Sequence, residues 1–246
     1  MFDCDSTLCA IEGIDELAAG QRMEVAALTD AAMRGELPLE AVYARRLELI
    51  RPDRSRIEAL ARQYVETLVP DARDVVRALH AEGIDVRIMS GGLLPAVRAT
   101  ADALGIAHDR VAAVGIRFAA DGTYAGFDEA APLARSGGKR ETLLRWRQDI
   151  DGAVMMVGDG ATDLEARGVA DLFVAYTGVI DRPEVVAEAD VVIRSASLAP
   201  VLPLALAGDE PRAADSAALH RRGLALLEQE YRALLESDEP TETSRE

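Results

Sequence analysis

The sequence predicts a doubly wound α/β fold, a parallel sheet with helices on both faces, and three observations carry that expectation. Four short runs rich in branched apolar residues, Ile84 to Met89, Ala153 to Val157, Leu172 to Ala175 and Val191 to Ile193, read as buried parallel strands. Helical patterns at Val75 to Ala81, Leu94 to Leu104, Arg140 to Arg147 and Asp163 to Arg167 separate the runs and supply crossovers. Polar clusters then follow three apolar stretches: Asp3 after Phe2, Ser90 after Ile88-Met89, and Gly158-Asp159 after Met155-Met156-Val157. Sheets of this kind bind ligands beyond the carboxyl ends of their strands. Polar residues also commonly end strands, so an ordinary turn reading competes until the clusters are shown to share a cleft.

Between Asp3 and the Ile84 run the chain is far longer than the ~30 residues of a simple βαβ unit, which predicts an insertion. Ile14 to Ala19, Arg22 to Arg34, Leu39 to Ile50 and Arg54 to Val65 have helical periodicity, with Pro38 and Pro52 near the starts of the last two, so the insertion reads as a small helical cap. The expected division is a core of residues 1–13 and 76–208 with a cap over 14–75. A second insertion, Val111 to Phe118, Asp121-Gly122 and Thr123 to Phe127, reads as a β-hairpin around an Asp-Gly turn. From Asp209 to Glu246 the chain carries ten acidic and five basic residues, with Leu219, Leu226, Leu227, Tyr231, Leu234 and Leu235 spaced as on one amphipathic helix with a frayed end. A helix packed on the domain is the expectation there.

The 246 residues and 49% hydrophobic content suffice for one large domain, or one domain carrying a smaller insert. A balance of 27 basic against 43 acidic side chains gives a net charge of −16, which repels nucleic acid and anionic membrane. An anionic substrate therefore needs a locally positive or metal-bearing cleft. Cys4 and Cys9 fit neither a zinc knuckle nor a redox pair by spacing and are expected to stay reduced. No stretch approaches ~18 continuous apolar residues, and the start lacks the regions of a signal peptide, so the expected setting is cytoplasmic. Monomer and homodimer are both compatible with the sequence.

In Phe2-Asp3-Cys4-Asp5-Ser6-Thr7 the two carboxylates lie two residues apart, and on an extended strand end such residues point the same way. One can attack a phosphorus while the other handles a proton. The alternative for this segment taken singly is an Asx-turn or N-cap cluster. Gly158-Asp159-Gly160-Ala161-Thr162-Asp163 adds two carboxylates four residues apart at a strand exit. Asp3, Asp159 and the main-chain carbonyl of Asp5 would satisfy Mg²⁺, which takes oxygen ligands and is typically held by one or two carboxylates plus substrate phosphate. A carboxylate nucleophile facing a phosphate needs positive charge nearby, and Lys139 in Ser136-Gly137-Gly138-Lys139 is the candidate. Ser90-Gly91-Gly92 can cradle phosphate oxygens, or cap the following helix. Asp5 fits a general acid in one half-reaction and a general base in the other.

Asp3-x-Asp5-x-Thr7, Ser90, Lys139 and Gly158-Asp159-Gly160-x-x-Asp163 occur in an order that resembles the haloacid-dehalogenase (HAD-like) phosphatase superfamily. Glu12-Gly13-Ile14-Asp15-Glu16-Leu17, Ala32-Met33-Arg34-Gly35-Glu36, Met89-Ser90-Gly91-Gly92, Tyr124-Ala125-Gly126-Phe127 and Ser136-Gly137-Gly138-Lys139 are similar to its phosphoserine phosphatase branch, with a likeness running from residue 2 to about Ser197. The resemblance implies a Rossmann-like core with a helical cap, Mg²⁺, and cleavage of O-phospho-L-serine to serine and phosphate in L-serine biosynthesis. It implies Asp3 as nucleophile, Asp5 as acid and base, and Asp3, Asp5, Asp159 and Asp163 around the metal. Ser90, Gly91, Gly92, Lys139 and Thr162 would hold phosphate. Glu12 would meet the substrate ammonium, Arg46 its carboxylate, and Met33 and Gly35 the cap side of the pocket.

Two departures from the family pattern stand out. Leu39 replaces the usual Phe, which predicts a looser cap side. Only Met1 and Phe2 precede Asp3 where the family has a full apolar strand, so the expectation is a start lying upstream, with stability and activity both reduced without it; intact mass of the native protein tests this. The alternatives to a phosphoserine phosphatase are a phosphotransferase or a phosphatase for another small metabolite, and an inactive binding module.

Overall fold

The computed structural model describes residues 1–18, 20, 23–25, 28 and 39–237. Among these residues five parallel strands form the main sheet: β1 (Ile88–Leu93), β2 (Val111–Val114), β5 (Met155–Gly158), β6 (Leu172–Tyr176) and β7 (Val191–Ile193). A short antiparallel pair, β3 (Ile116–Phe118) and β4 (Tyr124–Phe127), lies apart from it. β2 pairs with β1, and β5, β6 and β7 pair in that order. Phe2 joins the two groups, bridging Ile88 on one side and Val157 on the other in parallel register. The sheet thus runs β2, β1, Phe2, β5, β6, β7. Phe2 N–H donates to Arg87 O and Asp3 N–H to Val157 O, both at 2.9 Å, while Phe2 O accepts from Met89 N–H at 2.9 Å. The Phe2 ring is 2% exposed, so this one residue fills the centre of the sheet. Asp3, Ser90 and Asp159 consequently emerge side by side at its carboxyl edge.

The branched apolar runs became strands because both sheet faces are covered: Met156, Val157, Phe173, Val174 and Ala175 are fully buried. Boundaries moved by a few residues, and β1 starts later than the apolar run and continues through Ser90-Gly91-Gly92 with an irregular register. One expectation fails. Val111–Val114 belongs to the main sheet and only Ile116–Phe118 pairs back on Tyr124–Phe127. The reason is that a four-residue apolar run has no local signature of its partner.

The helices are α1 (Gly13–Leu17), α2 (Leu39–Ile50), α3 (Arg54–Glu66), α4 (Ala72–Ala81), α5 (Leu94–Leu104), α6 (Gly138–Trp146), α7 (Ala161–Leu164), α8 (Pro183–Val186), α9 (Val201–Ala205) and α10 (Ala217–Ser237). Asp53 caps α3 by accepting from Arg56 N–H at 2.9 Å, and the apolar face of that helix buries Ile57, Leu60 and Tyr64. α5 has a proline in its first turn and closes on Gly105 at φ 72°, the left-handed conformation glycine adopts without strain. α3 packs along α5, and the β3–β4 pair braces the inserted helices: Arg54 N–H donates to Gly122 O, Arg54 stacks over Phe118, and Phe127 meets the Tyr43 ring of α2. Residues of the expected Arg22 to Arg34 helix fall largely outside the described residues.

α10 returns to the core and packs on α9, where Gly223 lies against the Ala199 carbonyl. Glu230 accepts from Arg194 and Ser195 N–H, and Arg222 pairs with Asp71. The tail is therefore a helix over Ala217–Ser237 that is docked on the core as far as Glu230, with Tyr231 exposed.

Gly138 opens α6 against the Pro132 carbonyl so closely that a methyl group would overlap that oxygen. Gly138→Ala is expected to cost about 1–3 kcal/mol of stability, read as a lower denaturation midpoint, because the obstacle is backbone and cannot rotate aside.

Candidate active site

Asp3 leaves the sheet centre, and its carboxylate is almost fully buried. Lys139, on the first turn of α6 and 4% exposed, places its ammonium 2.9 Å from Asp3 Oδ1 and 2.6 Å from Asp163 Oδ1. Lys139 thus forms an ion pair with Asp3 and both an ion pair and a hydrogen bond with Asp163. Burial works to lower the Lys139 pKa, but Asp163 and Asp3 outweigh it and hold the pKa above its ordinary value.

Asp159 follows β5, accepting from Thr7 Oγ1 at 3.2 Å and from Arg182 Nε at 3.1 Å. Asp163 on α7 is fully buried and also accepts from Gly160 N–H. One carboxylate oxygen from each of Asp3, Asp159 and Asp163 lies within 4.8 Å of the others. Burial, and after it the charge of Asp3, raises the Asp159 pKa and pushes Asp163 up to about 8. Three converging carboxylates with too little countercharge are what a divalent cation would relieve, and an all-oxygen donor set suits Mg²⁺.

Asp5 faces the same cleft from the other side. Tyr64 donates its hydroxyl to Asp5 Oδ1, and Gly13 has no side chain because a methyl there would overlap that hydroxyl. A Cβ at Gly92 would sit 3.1 Å from Ser90 Oγ, 3.2 Å from Asp5 Oδ2 and 3.2 Å from the Tyr64 oxygen, so these three polar groups surround Gly92. Burial, then Glu12 and Asp3, raise the Asp5 pKa well above the carboxylate range against the opposing Tyr64 bond and Lys139. Ser90 Oγ accepts from Gly92 N–H at 2.9 Å; it does not cap α5, whose N-cap position is Leu93 with no side-chain hydrogen bond.

Glu12 accepts from Ser6 Oγ at 2.7 Å and lies 3.5 Å from Arg182. Burial comes first among the causes that raise its pKa, with Asp159 and Asp3 adding. Gly91 O accepts from the Tyr43 hydroxyl at 2.9 Å, which ties α2 to the Ser90 loop. Arg46, one turn further along α2, pairs with Asp15 rather than with any group of the carboxylate cluster, and its Nε is buried without a hydrogen-bond partner. Thr162 is half-buried on the first turn of α7. Met33, Gly35 and the Leu39 side chain lie outside the described residues.

Sequence reasoning missed three residues. They are Tyr64 on α3, Tyr43 on α2 and Arg182 just ahead of α8. None has a local signal, since Arg182 reaches back 23 residues to Asp159 and Tyr64 reaches 59 residues to Asp5.

An acidic pair and a buried lysine converging at the carboxyl edge of a parallel sheet define a class, and the family model for haloacid dehalogenase-like hydrolases matches residues 1–171. The chain belongs to that family. Among individual proteins it is 42% identical over 194 residues to the chloroplastic phosphoserine phosphatase of Arabidopsis thaliana, covering 77% of this chain and 66% of that one. It is 38% identical over 187 residues to phosphoserine phosphatase of Bos taurus, covering 75% of this chain and 83% of the relative. A substrate-bound phosphoserine phosphatase complex superposes with a TM-score of 0.69 at 28% identity, over 82% of this chain and 95% of that one.

Proposed function

We propose that the protein hydrolyses O-phospho-L-serine to L-serine and phosphate through an aspartyl-phosphate on Asp3. The observation that carries this reading is the meeting of Asp3, Lys139, Asp159 and Asp163 in one buried cluster with Asp5 and Ser90 beside it. The relatives named above point to the same substrate. Asp3 attacks phosphorus and the bond to the seryl oxygen breaks, while Asp5 gives that oxygen a proton; its raised pKa suits it to hold one. In the second half Asp5 takes a proton from the water that cleaves the aspartyl-phosphate. Lys139 and Ser90, with the N–H groups of the Gly91-Gly92 loop, hold phosphate oxygens as charge moves onto them. Asp3 and Asp159, with the Asp5 carbonyl, would hold Mg²⁺ and Asp163 would support it. Bound there, Mg²⁺ supplies positive charge to the phosphate and to the attacking carboxylate.

Glu12, half-buried beside this cluster, is the group to meet the substrate ammonium, and Arg46 is the group to meet its carboxylate once it leaves Asp15, since guanidinium pairs bidentately with carboxylate. Thr162, Met33 and Gly35 complete the substrate contacts. The core is residues 1–13 and 76–208, the cap 14–75, and 209–246 a tail. Among the described residues no helix is long and apolar enough to cross a membrane; a cytoplasmic setting is supported by two free buried thiols.

Phosphate release from phosphoserine is expected to need Mg²⁺, to vanish with a chelator, and to exceed release from phosphothreonine and a plain alkyl phosphate. Equal rates on all three esters would remove the substrate assignment. Tyr64→Phe keeps the ring and deletes the donor to Asp5, so kcat is expected to fall roughly ten- to a hundredfold. That hydrogen bond favours the ionised form, so its loss raises the Asp5 pKa further. The limb of the pH–kcat profile on which Asp5 must be ionised should therefore move to higher pH; an unmoved profile would place the proton transfer elsewhere.

A further inference from the structure

We propose that Cys4, Asp5 and Cys9 form a second cation site, distinct from the Asp3, Asp159, Asp163 cluster, that takes one thiophilic divalent cation of the Zn²⁺ and Cd²⁺ class. Both thiols are free and fully buried. One ligand atom from each of the three residues lies within 4.8 Å of the others, and the two clusters share no side chain. Metal–sulfur bonds of about 2.3 Å in tetrahedral geometry put donors roughly 3.8 Å apart, so the three close on an ion with shifts of about 1 Å or less.

The backbone holds them in place. Cys4 O accepts from the N–H groups of Leu8 at 2.9 Å and Cys9 at 3.0 Å, and from the Cys9 thiol at 3.3 Å, which folds the segment between the two cysteines into a closed turn. Asp5 pairs with Cys9 in a parallel bridge, bringing the carboxylate over the sulfurs, and Tyr64 fixes one of its oxygens. Among the described residues no charged side chain hydrogen-bonds either sulfur, and the Cys9 thiol donates to the carbonyls of Cys4 and Ile11. Thiolates select soft and borderline ions, whereas Mg²⁺ takes oxygen donors, so the two sites sort cations by hardness.

Binding converts two thiols to thiolates and displaces the proton that Asp5 holds, all of these protons passing to solvent, with no change of oxidation state. Asp5 becomes a ligand and can no longer shuttle a proton, so the ion inhibits even when Mg²⁺ is saturating. This consequence rests on the acid–base assignment of Asp5 made above; the site itself does not.

The test is titration of the full chain with Cd²⁺ in excess Mg²⁺, following the ultraviolet thiolate-to-metal charge-transfer band. One equivalent is expected to saturate the band, and the double variant Cys4→Ser, Cys9→Ser should lack it. Should that variant fail to fold, X-ray absorption of the Cd²⁺-loaded native chain decides: two sulfur neighbours support the site, and a shell of oxygen alone overturns it. Absence of the band in the native chain also overturns it. Phosphoserine turnover in Mg²⁺ should fall at least tenfold as the band saturates. A saturated band with undiminished turnover would keep the site and overturn the role of Asp5.

Discussion

Asp3→Asn is expected to abolish phosphate release, lowering kcat by roughly 10⁴-fold or more, with the fold retained. The amide has nearly the shape of the carboxylate, so the Phe2 bridges and the Asp3 N–H to Val157 bond that seat this residue in the sheet are undisturbed. What disappears is the anionic oxygen that would attack phosphorus. Burial, the first cause of the raised Asp159 and Asp163 pKa values, is unchanged, but the change removes the second, the charge of Asp3, so both should fall part of the way toward ordinary carboxylates. Stability is expected to stay within about 1 kcal/mol of the parent, since the lost contact with Lys139 is offset by relief of repulsion. Rapid-quench measurement with labelled phosphoserine should find phosphoenzyme in the parent and none in the variant. Turnover that survives would mean that another group attacks.

Lys139→Met is expected to lose both activity and stability. Methionine fills most of the lysine volume, so the effect isolates the charge. The parent ammonium is buried between Asp3 and Asp163; without it two carboxylates face each other beside a third. Breaking a buried ion pair from one side costs about 3–5 kcal/mol. The low end applies here, because Asp163, already pushed up to about 8, takes a proton in response. Catalytically, an anionic nucleophile would approach an anionic phosphate with one fewer countercharge, and kcat/KM should drop by about 10²–10³-fold. Denaturant unfolding and steady-state kinetics read the two losses separately. A variant with full activity would mean that Lys139 serves only the fold.

The parts of this architecture that were legible in the sequence share one property: their information is local. α5 and β7 match the expected Leu94 to Leu104 and Val191 to Ile193, because helix and strand periods are written in consecutive residues. The Asp3, Asp5, Asp159 and Asp163 motifs were legible for the same reason, each being a short spacing next to an apolar run. The Val111–Val114 run was misread as hairpin because a strand's pattern does not name its neighbour. The pairing of Arg46 with Asp15 was not legible either, because it is set by how α1 and α2 lie together.

The sequence alone determined which chemistry the chain carries: carboxylates at strand exits, a lysine behind two glycines, and two cysteines flanking Asp5. Only the tertiary structure decided what each of these meets. Phe2 stitches two strand groups into one sheet, Tyr64 crosses from the inserted helix to Asp5, and Arg182 spans Asp159 and Glu12. These contacts join residues far apart in the chain, where spacing carries no geometric information, and they are fixed by the burial of the sheet and helices that bring the ends of distant segments together.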